Sequence, residues 1–324
     1  MAMPTALSIV IPSRLQSVEL RTLRSLRDQQ LEPSAFEVVV VADGAPARTV
    51  TTLREWRPSF EFRVIDQARA GQGAARNRGA SAARHETLIF LDDDLSFGPN
   101  FLTAMGEALC SECDVAVGVV MTGDWVPYTQ HTEETRRWQQ ALAERPVDEL
   151  PYDAVVFQAT ALRRHYFESA GGFDESFTAD GGYGNEDIEL GWRLRTMGAR
   201  IRLVPDAIAQ TDLVTDIPLL LARARKIGKN DVRLVRKHPE LAARSIGRRI
   251  SRSKAHRNLS YALLRWPRLG LLTTPARVMA SLFAGNGRRG PAARAAWKIA
   301  YALHYWRGVQ EAGGRGLHPA LEGP

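Results

Sequence analysis

Two groups of acidic residues occupy positions at which carboxylates could carry out chemistry. Asp92, Asp93 and Asp94 directly follow the apolar run TLIFL at 87–91. Three adjacent carboxylates repel one another, so this arrangement at a strand end is costly unless a cation lies beside it. Oxygen ligands suit Mg²⁺ or Mn²⁺, whose shells are often completed by water and substrate phosphates. The run therefore indicates a divalent-cation site, with an acidic turn as the purely structural alternative.

The second acidic group lies within the segment GGFDESFTADGGYGNEDIELGWRL at 171–194. Its glycines permit a tight loop that can pack closely around a ligand. Glu186 and Asp187 stand where the following apolar spacing predicts the start of a helix. A helix dipole stabilises carboxylates at that position, so helix capping is the alternative to a catalytic role.

The elements that must position these groups follow an alternating pattern over the first 98 residues. Continuous β-branched runs separated by helical patterns predict a parallel sheet covered on both faces, hence an α/β fold. Such sheets bind ligands at the carboxyl ends of their strands. The predicted strands are 7–11, 37–41, 62–65 and 87–91, and the predicted helices are 18–29, 47–57 and 71–83.

The pattern changes after residue 98. A helix at 100–109 precedes a strand at 114–121, a polar segment at 122–150 and a second strand-like run at 154–160. This order predicts a mixed sheet rather than another strand–helix–strand repeat.

Charge divides the chain into two parts. Residues 214–324 contain 22 Lys and Arg against 5 Asp and Glu, whereas residues 1–213 contain 21 and 31. We therefore expect a catalytic domain at 1–213 and a basic, α-helical region at 214–324.

The order of five motifs resembles that of inverting family-2 glycosyltransferases of the GT-A fold, across residues 6–212. The motifs are SIVIPSR, EVVVVADGA, GQGAARNRGA, LIFLDDD and GGFDESF…GYGNEDIELGWRL. The resemblance implies a Rossmann-like mixed sheet flanked by helices, with a C-terminal helical extension. It also implies metal-assisted transfer of a sugar from a nucleotide-sugar donor to an acceptor hydroxyl, with inversion.

Donor and metal roles follow from the resemblance position by position. Asp94 would bind the metal directly, and Asp92 would contact the ribose or support the metal in a DxD arrangement whose middle residue is Asp93. Asp43 would read the nucleobase, but Ala42 stands where the family often has another Asp. The donor therefore stays open among UDP-, GDP- and dTDP-sugars. Four further residues are expected on the nucleotide side or lining its pocket: Ser13, Arg14, Arg76 and Asn77.

The resemblance implies that Asp187 is the general base and that Glu186 positions the acceptor or the base. An acceptor hydroxyl is a poor nucleophile, so a carboxylate within hydrogen-bond reach must take its proton as the new bond forms. One base opposite the leaving group implies a single displacement with inversion and no covalent intermediate.

One position departs from the family pattern. Many members carry a metal-binding His after the strand that follows the Glu-Asp helix, and here the equivalent is Gln210, with Asp212 close by. The metal would then rely on Asp94 and the donor phosphates, or Asp212 would take the place of the His.

Acceptor contacts are expected from the segment between the later strands. Trp125 is one of several aromatic residues that could stack on a sugar ring, although such residues are more often packed in a core. Gln158 and Thr160 fall where members of the family line the acceptor cleft. The acceptor itself is not indicated.

The basic region needs its own explanation. An anionic membrane surface is one candidate partner, because interfacial helices mix Arg with Trp, Tyr and aliphatic residues as this region does. An anionic acceptor and a solvated basic face are alternatives, and no nucleic-acid-binding motif is present. No apolar stretch reaches the roughly 18–20 residues of a membrane span. With no evident secretory signal and only two cysteines, Cys110 and Cys113, we expect a cytoplasmic protein that is peripheral to the membrane if the basic helices bind lipid.

A second function class stays open. The same fold could hold a nucleotide-sugar or a glycan without turnover. The presence of Asp92, Asp94, Glu186 and Asp187 together favours catalysis. No GxGxxG motif follows the first strand, which disfavours a dinucleotide-dependent oxidoreductase.

Overall fold

The β-branched runs of the sequence form one eight-stranded sheet in the order β3-β2-β1-β4-β7-β6-β8-β5. The computed structural model describes residues 6–15, 20–111, 113–148, 150–213, 215–242, 262, 265–266, 268–284 and 287–314. The strands are β1 (Leu7–Ser13), β2 (Phe36–Asp43), β3 (Glu61–Gln67), β4 (Thr87–Leu91), β5 (Leu95–Phe97), β6 (Val115–Thr122), β7 (Ala159–Arg163) and β8 (Ile201–Thr211).

The sheet is mixed, as the sequence predicts. Strands β1 to β4 run parallel to one another, β7 lies antiparallel between β4 and β6, and β8 pairs in parallel with β6. Strand β1 is buried along its whole length, which explains its continuous apolar sequence. The parallel arrangement brings the carboxyl ends of β1, β2 and β4 to one edge, where the polar residues of the motifs follow.

Helices cover this sheet and also form the C-terminal part of the chain. They are α1 (Arg21–Arg27), α2 (Ala47–Arg54), α3 (Gln72–Ala82), α4 (Phe101–Ser111), α5 (Gln130–Ala143), α6 (Arg164–Ser169), α7 (Glu186–Thr196), α8 (Ile217–Lys237), α9 (Gly270–Phe283) and α10 (Pro291–Glu311). The predicted α/β fold class with C-terminal helices is confirmed. The first part of the predicted helix at 18–29 lies outside the described residues, because the structure describes none of residues 16–19.

The strand predicted at 154–160 is wrong in its position. Strand β7 begins only at Ala159, and residues 152–154 form a 3₁₀ turn. The backbone N–H of Phe157 donates to the Asp187 side chain at 3.2 Å, and that of Val155 donates to the Tyr152 carbonyl at 3.3 Å. These two backbone N–H groups are already bonded to a side chain and to a nearby carbonyl, so they do not pair with a neighbouring strand.

The chain divides into two compact units. The sheet unit comprises residues 1–123, 136–181 and 186–212, and the helical unit comprises 124–135, 182–185 and 213–324. The predicted boundary at 213/214 stays a prediction. Of the two cysteines, Cys113 is buried in the sheet unit, and burial raises its pKa to about 12.

In the helical unit, α8 and α10 pack backbone against backbone. A Cβ atom at Gly228 would lie 2.2 Å from the Tyr305 carbonyl oxygen, and one at Gly308 would lie 1.9 Å from that of Arg225. Only glycine fits such a crossing. The unit's core includes Leu221, Val232, Trp297, Tyr305 and Trp306. Among the described residues, no helix is both long and apolar enough for a membrane span.

Candidate active site

The Arg76 guanidinium connects the two acidic groups singled out in the sequence. Helix α3 carries Arg76, whose surface is only 1% exposed. Its Nη2 lies 3.0 Å from Asp92 Oδ1, and its Nη1 lies 3.2 Å from Asp187 Oδ1. Glu186 Oε1 lies 3.6 Å from the same Nη1. The strand-end carboxylates and the start of α7 therefore surround one buried cation.

The charge of Arg76 is stabilised by these carboxylates. Burial alone would lower its pKa, but the negative charges of Asp187, Asp92 and Glu186 outweigh burial and raise the pKa. The Nε atom of Arg76 is buried without a hydrogen-bond partner among the described residues. The Nη1 and Nη2 atoms of Arg76 face the carboxylates of Asp92, Glu186 and Asp187 rather than the protein backbone.

The surroundings of Asp187 raise the pKa of its carboxyl group. Burial raises its pKa to about 7, with further increases from Glu186 and Asp92, although Arg76 and the Phe157 N–H oppose the rise. A carboxylate with this pKa can accept a proton efficiently near pH 7. Capping of α7 does not require a half-buried carboxylate held in this way.

Glu186 has an unsatisfied carboxylate oxygen beside Asp187. The residue is 5% exposed, and its Oε2 is buried without a hydrogen-bond partner in the described part of the chain. Burial raises its pKa above the usual range, against the opposing charge of Arg76. Such an oxygen is available to a substrate hydroxyl.

The strand-end carboxylates differ in their surroundings. Asp92 Oδ1 accepts hydrogen bonds from Gln72 Nε2 at 3.1 Å and from Arg76. The carboxylate of Asp93 accepts from the Ser13 hydroxyl, and burial raises the pKa of Asp93. Burial, then the charges of Asp92 and Asp93, raise the pKa of Asp94 to about 7, opposed by a hydrogen bond from Thr211.

The donor set fits a cation that is shared with a substrate. The crowding that raises the pKa of Asp94 would be relieved by a divalent cation, and carboxylate oxygens suit Mg²⁺ or Mn²⁺. Across the described ranges, however, no three Asp, Glu, His or Cys side chains are grouped for metal binding. Asp92 and Asp94 would therefore need phosphate or water oxygens to complete the shell.

The position equivalent to the missing His offers little to a metal. Gln210 lies in β8 opposite Ser96 of β5. The Asp212 carboxylate lies 3.2 Å from Arg21 Nη1 in an ion pair. Substitution of the His by Asp212 would require this pair to open.

Asp43 organises the loop between β3 and α3. Its Oδ1 accepts from Gln67 Nε2 at 2.9 Å and from the Ala70 N–H at 2.7 Å, and its Oδ2 accepts from the Gly71 N–H at 3.0 Å. A carboxylate has about four lone-pair sites, so one remains for a nucleobase N–H. Reading of the base by Asp43 stays a prediction.

The other predicted donor residues have distinct positions. Ser13 is buried and Arg14 is exposed at the end of β1. Asn77 uses both N–H donors on Phe173 O and Glu175 Oε1, each at 2.9 Å, and its Oδ1 accepts from the Phe173 N–H at 2.8 Å. Its amide therefore holds the GGFDE loop, and nothing in its geometry favours the predicted nucleotide contact.

The three predicted acceptor residues differ in their exposure to solvent. Thr160 is fully buried, and its hydroxyl donates to Val156 O at 2.8 Å, so its position does not support an acceptor contact. Gln158 is half-buried, and its carbonyl accepts from the Asp92 N–H at 3.0 Å. Trp125 belongs to the helical unit, where it is 45% exposed.

Two contacting residues escaped the sequence analysis. Gln72 stands inside the motif GQGAARN, so its contact with Asp92 could have been suspected. Thr211 reaches Asp94 only because the three-residue strand β5 pairs with β8. A strand this short carries no periodicity, and no local signal predicts that pairing.

Known proteins are similar to this chain in sequence. The chain is 28% identical over 267 residues to a validoxylamine A glucosyltransferase of Streptomyces hygroscopicus subsp. limoneus, covering 72% of this chain and 57% of that protein. It is 28% identical over 246 residues to a pre-mycofactocin glycosyltransferase of Mycobacterium tuberculosis, covering 73% of this chain and 49% of that protein. The chain thus spans about half the length of these curated relatives.

Solved structures share the fold at lower sequence identity. S. aureus TarS 1–349, solved in complex with UDP-GlcNAc, has a TM-score of 0.56 at 17% identity, covering 96% of this chain and 92% of that one. The mannosyltransferase PcManGT of Pyrobaculum calidifontis, solved with GDP-Man and Mn²⁺, has a TM-score of 0.57 at 17% identity, covering 94% and 86%. The model of the family "Glycosyl transferase family 2" matches residues 8–169, which is half of the sequence. The chain belongs to glycosyltransferase family 2.

Proposed function

We propose that this chain transfers a sugar from a nucleotide-sugar donor to an acceptor hydroxyl, with metal assistance and inversion at the anomeric carbon. The observation that carries the proposal is the position of Arg76, which contacts both Asp92 and Asp187. A carboxylate suited to a cation and a carboxylate suited to proton transfer therefore lie on two sides of one guanidinium. This is the separation of roles that a single displacement needs.

Asp187 would remove the proton of the acceptor hydroxyl. Its carboxylate is oriented by Arg76 at 3.2 Å and by the Phe157 N–H at 3.2 Å. A positioned base of matched pKa typically contributes a factor of about 10²–10⁴. Glu186, with one oxygen unpartnered among the described residues, would accept a hydrogen bond from the acceptor.

Asp94 and Asp92 would hold the divalent cation, together with the diphosphate oxygens of the donor. The cation supplies Lewis-acid stabilisation of the charge that accumulates on the leaving diphosphate. Thr211 and Arg76 keep the two carboxylates in place by the contacts described above.

The names of similar proteins support the donor class. The first relative is a glucosyltransferase, and the two structural neighbours were solved with UDP-GlcNAc and with GDP-Man and Mn²⁺. The nucleobase stays open, because Asp43 keeps a single lone-pair site and Ala42 adds no second carboxylate.

A donor screen tests the proposal. The purified chain is incubated with Mn²⁺ and a panel of UDP-, GDP- and dTDP-sugars, and release of nucleoside diphosphate is followed. Asp94→Ala is the site variant, and Asp206→Ala is the matched control because Asp206 is an exposed carboxylate of the same unit. We expect release from one donor by wild type and by the control, and loss of release in Asp94→Ala.

Absence of binding and cleavage for every donor, with or without metal, would reject the enzyme proposal. The non-catalytic nucleotide-sugar- or glycan-binding alternative would then be favoured if a donor bound without turnover. Equal release by wild type and Asp94→Ala would reject the metal role alone.

We further infer that the helical unit binds an anionic membrane surface. Helix α9 exposes Leu271, Val278 and Leu282, which recur at spacings that place them on one helix face. Leu271 is 72% exposed. Between residues 241 and 310 the sequence has 14 Lys and Arg and no Asp or Glu. Exposed apolar residues flanked by arginines suit the boundary between anionic headgroups and acyl chains.

Vesicle co-sedimentation tests this partner. The chain is mixed with vesicles of phosphatidylcholine alone or of equal parts phosphatidylcholine and phosphatidylglycerol. We expect binding only with phosphatidylglycerol, weakened roughly tenfold by the double change Leu271→Ser and Leu282→Ser. Ile208→Ser is the control, since Ile208 is a 53% exposed residue of the sheet unit. Equal binding to both vesicles, or no effect of the double variant, would contradict the inference.

A further inference from the structure

Two of the three residues that precede helix α7 have an unusual backbone conformation. Gly184 has φ = 83° and Asn185 has φ = 75°, so two consecutive residues lie in the left-handed region. Asn tolerates this region better than most residues, yet it still costs free energy. Such a conformation persists only where surrounding groups enforce it.

Two consecutive residues of α8 supply those groups. Asn230 Nδ2 donates to the carbonyls of Tyr183 at 3.1 Å and Gly184 at 2.7 Å. The next residue, Asp231, accepts from Asn185 Nδ2 through its Oδ1 at 2.6 Å. Each residue of the segment 183–185 is therefore bound by a side chain of α8.

Helix α10 completes this arrangement. The Tyr305 hydroxyl donates to the second oxygen of Asp231, which is 4% exposed. Tyr305 comes close enough because Gly228, three residues before Asp231, lets the two helix backbones approach. Both oxygens of this buried carboxylate are thus engaged by side chains, so Asn185 meets an acceptor that is itself fixed in position.

We propose that Asn230 and Asp231 are positioning residues for sugar transfer, because they fix the peptide 183–185 from which the Glu186–Asp187 turn of α7 continues. This inference rests on the proposed role of Asp187 as general base. Glu186 follows Asn185 directly in the chain, so the backbone angles of Asn185 set the direction in which α7 begins. A shift of about 1 Å in a reacting group can cost about 10²-fold in rate.

A merely structural role would give a different result. If the Asn230–Asp231 contacts only stabilised the helical unit, their loss would lower the melting temperature and leave turnover of the folded protein intact. If they position the base, turnover falls while donor affinity, which depends on Asp92 and Asp94, is retained. Measuring kcat and the donor KM separately therefore distinguishes the two roles.

The test compares four variants of the full chain. Asp231→Leu removes the acceptor, whereas Asp231→Asn keeps an oxygen for Asn185 and an N–H for Tyr305. Asn185→Gly removes the amide but keeps the left-handed backbone accessible. Val309→Ala is the control, because Val309 is a buried apolar residue of α10 whose truncation destabilises the same unit.

Two readouts are taken on each variant. The first is kcat and KM for the donor found in the screen, with transfer to a panel of p-nitrophenyl glycosides. The second is hydrogen–deuterium exchange of the amides at 183–189, which needs no acceptor. We expect Asp231→Leu to lower kcat about 10²-fold with the donor KM within twofold, and to speed exchange at 183–189. Asp231→Asn should recover most of the rate. The kcat of Asn185→Gly should lie between those of Asp231→Leu and Asp231→Asn.

The outcomes separate this inference from the proposed function. If the melting temperature of Asp231→Leu falls as that of Val309→Ala does but its kcat is unchanged, the positioning role is rejected. The transferase proposal then still stands. If wild type turns over no donor, the transferase proposal fails. Exchange at 183–189 that is unchanged in Asp231→Leu rejects the loop contact itself, whatever the activity.

Discussion

Buried carboxylates in the two units of the molecule differ in how completely they are satisfied. In the helical unit, Asp231 has both oxygens engaged, by Asn185 and by Tyr305. In the sheet unit, one oxygen of Glu186 is buried without a partner within the described residues, and burial raises the pKa of Asp187 to about 7. Both units bury negative charge, but only the sheet unit leaves it incompletely compensated.

This difference separates a structural network from a reactive site. An unsatisfied buried carboxylate costs free energy, and a fold tolerates that cost where a ligand or a proton completes the site. A fully bonded carboxylate instead fixes the groups around it. The following predictions test this distinction, since each concerns either the sheet unit or the helical unit.

The largest effect is expected at Asp187. Asp187→Asn keeps the shape of the side chain but removes the proton acceptor, so transfer to an acceptor found in the glycoside panel should fall by about 10²–10⁴-fold. Asp206→Asn, an exposed change in the same unit, should leave the rate unaltered. Transfer at the wild-type rate by Asp187→Asn would remove Asp187 from the mechanism.

The next effect concerns stability. Arg76→Leu leaves Asp92, Glu186 and Asp187 without their shared cation, so the free energy of unfolding should fall by about 3–5 kcal/mol in denaturant titrations. Burial raises the pKa of Glu186 and of Asp187, so these two carboxylates protonate more readily and the loss should be smaller at pH 5 than at pH 8. Arg48→Leu, an exposed arginine of α2, is the control. An equal loss of unfolding free energy in both variants would mean that the buried cation of Arg76 is not needed for stability.

A smaller loss is expected where α8 and α10 cross. Gly308→Ala places a Cβ atom 1.9 Å from the Arg225 carbonyl oxygen, so one helix must shift. Overpacking of this kind costs about 1–3 kcal/mol, which thermal unfolding would detect. Gly98→Ala meets no atom within 4 Å and should be neutral. An unchanged melting temperature for Gly308→Ala would show that the crossing is looser than described.

The smallest effect is a shift in pH dependence. If the ionised form of Asp187 is the base, as proposed, kcat should rise with pH through a midpoint near 7, by up to about tenfold per pH unit below it. The charged groups facing Asp187 are Arg76, Glu186 and Asp92. Because Glu186 raises the pKa of Asp187, Glu186→Gln should move the midpoint to lower pH. A midpoint near 4 in wild type would contradict a buried base.

The same pKa shift bears on stability. The pKa of Asp187 is higher in the folded chain than the ordinary value of 3.8, so the folded state holds this proton more tightly. The contribution of Asp187 to stability is therefore largest below about pH 4 and declines as the pH rises toward 7. Ionisation of Asp187 at neutral pH is thus obtained at a cost in stability there.

The sequence predicted those parts of the site that depend on local patterns. The strand end singled out Asp92, the predicted start of a helix singled out Glu186 and Asp187, and the family resemblance added Asp43. The mixed sheet followed from the change of pattern after residue 98. These features arise within short segments, where periodicity and turn residues are informative.

Other parts depended on contacts between distant segments and could not be predicted. Arg76 was expected on the nucleotide side, but its partners are known only once α3 and α7 are placed together. Thr160 was expected on the acceptor side from the family resemblance alone, and it is buried in β7. Asn77 holds a loop nearly a hundred residues away in the chain.

The pairing of β5 with β8 has a consequence for how the chain folds. Leu95 pairs with Thr211, so the surroundings of Asp94 are assembled from segments synthesised far apart. Closing so long a loop costs chain entropy before any contact compensates it, which makes such pairings slow. A nascent chain that has not yet reached β8 therefore carries the acidic run beside an unpaired strand. We expect the surroundings of Asp94 to form among the last steps of folding, after the parallel strands have already paired.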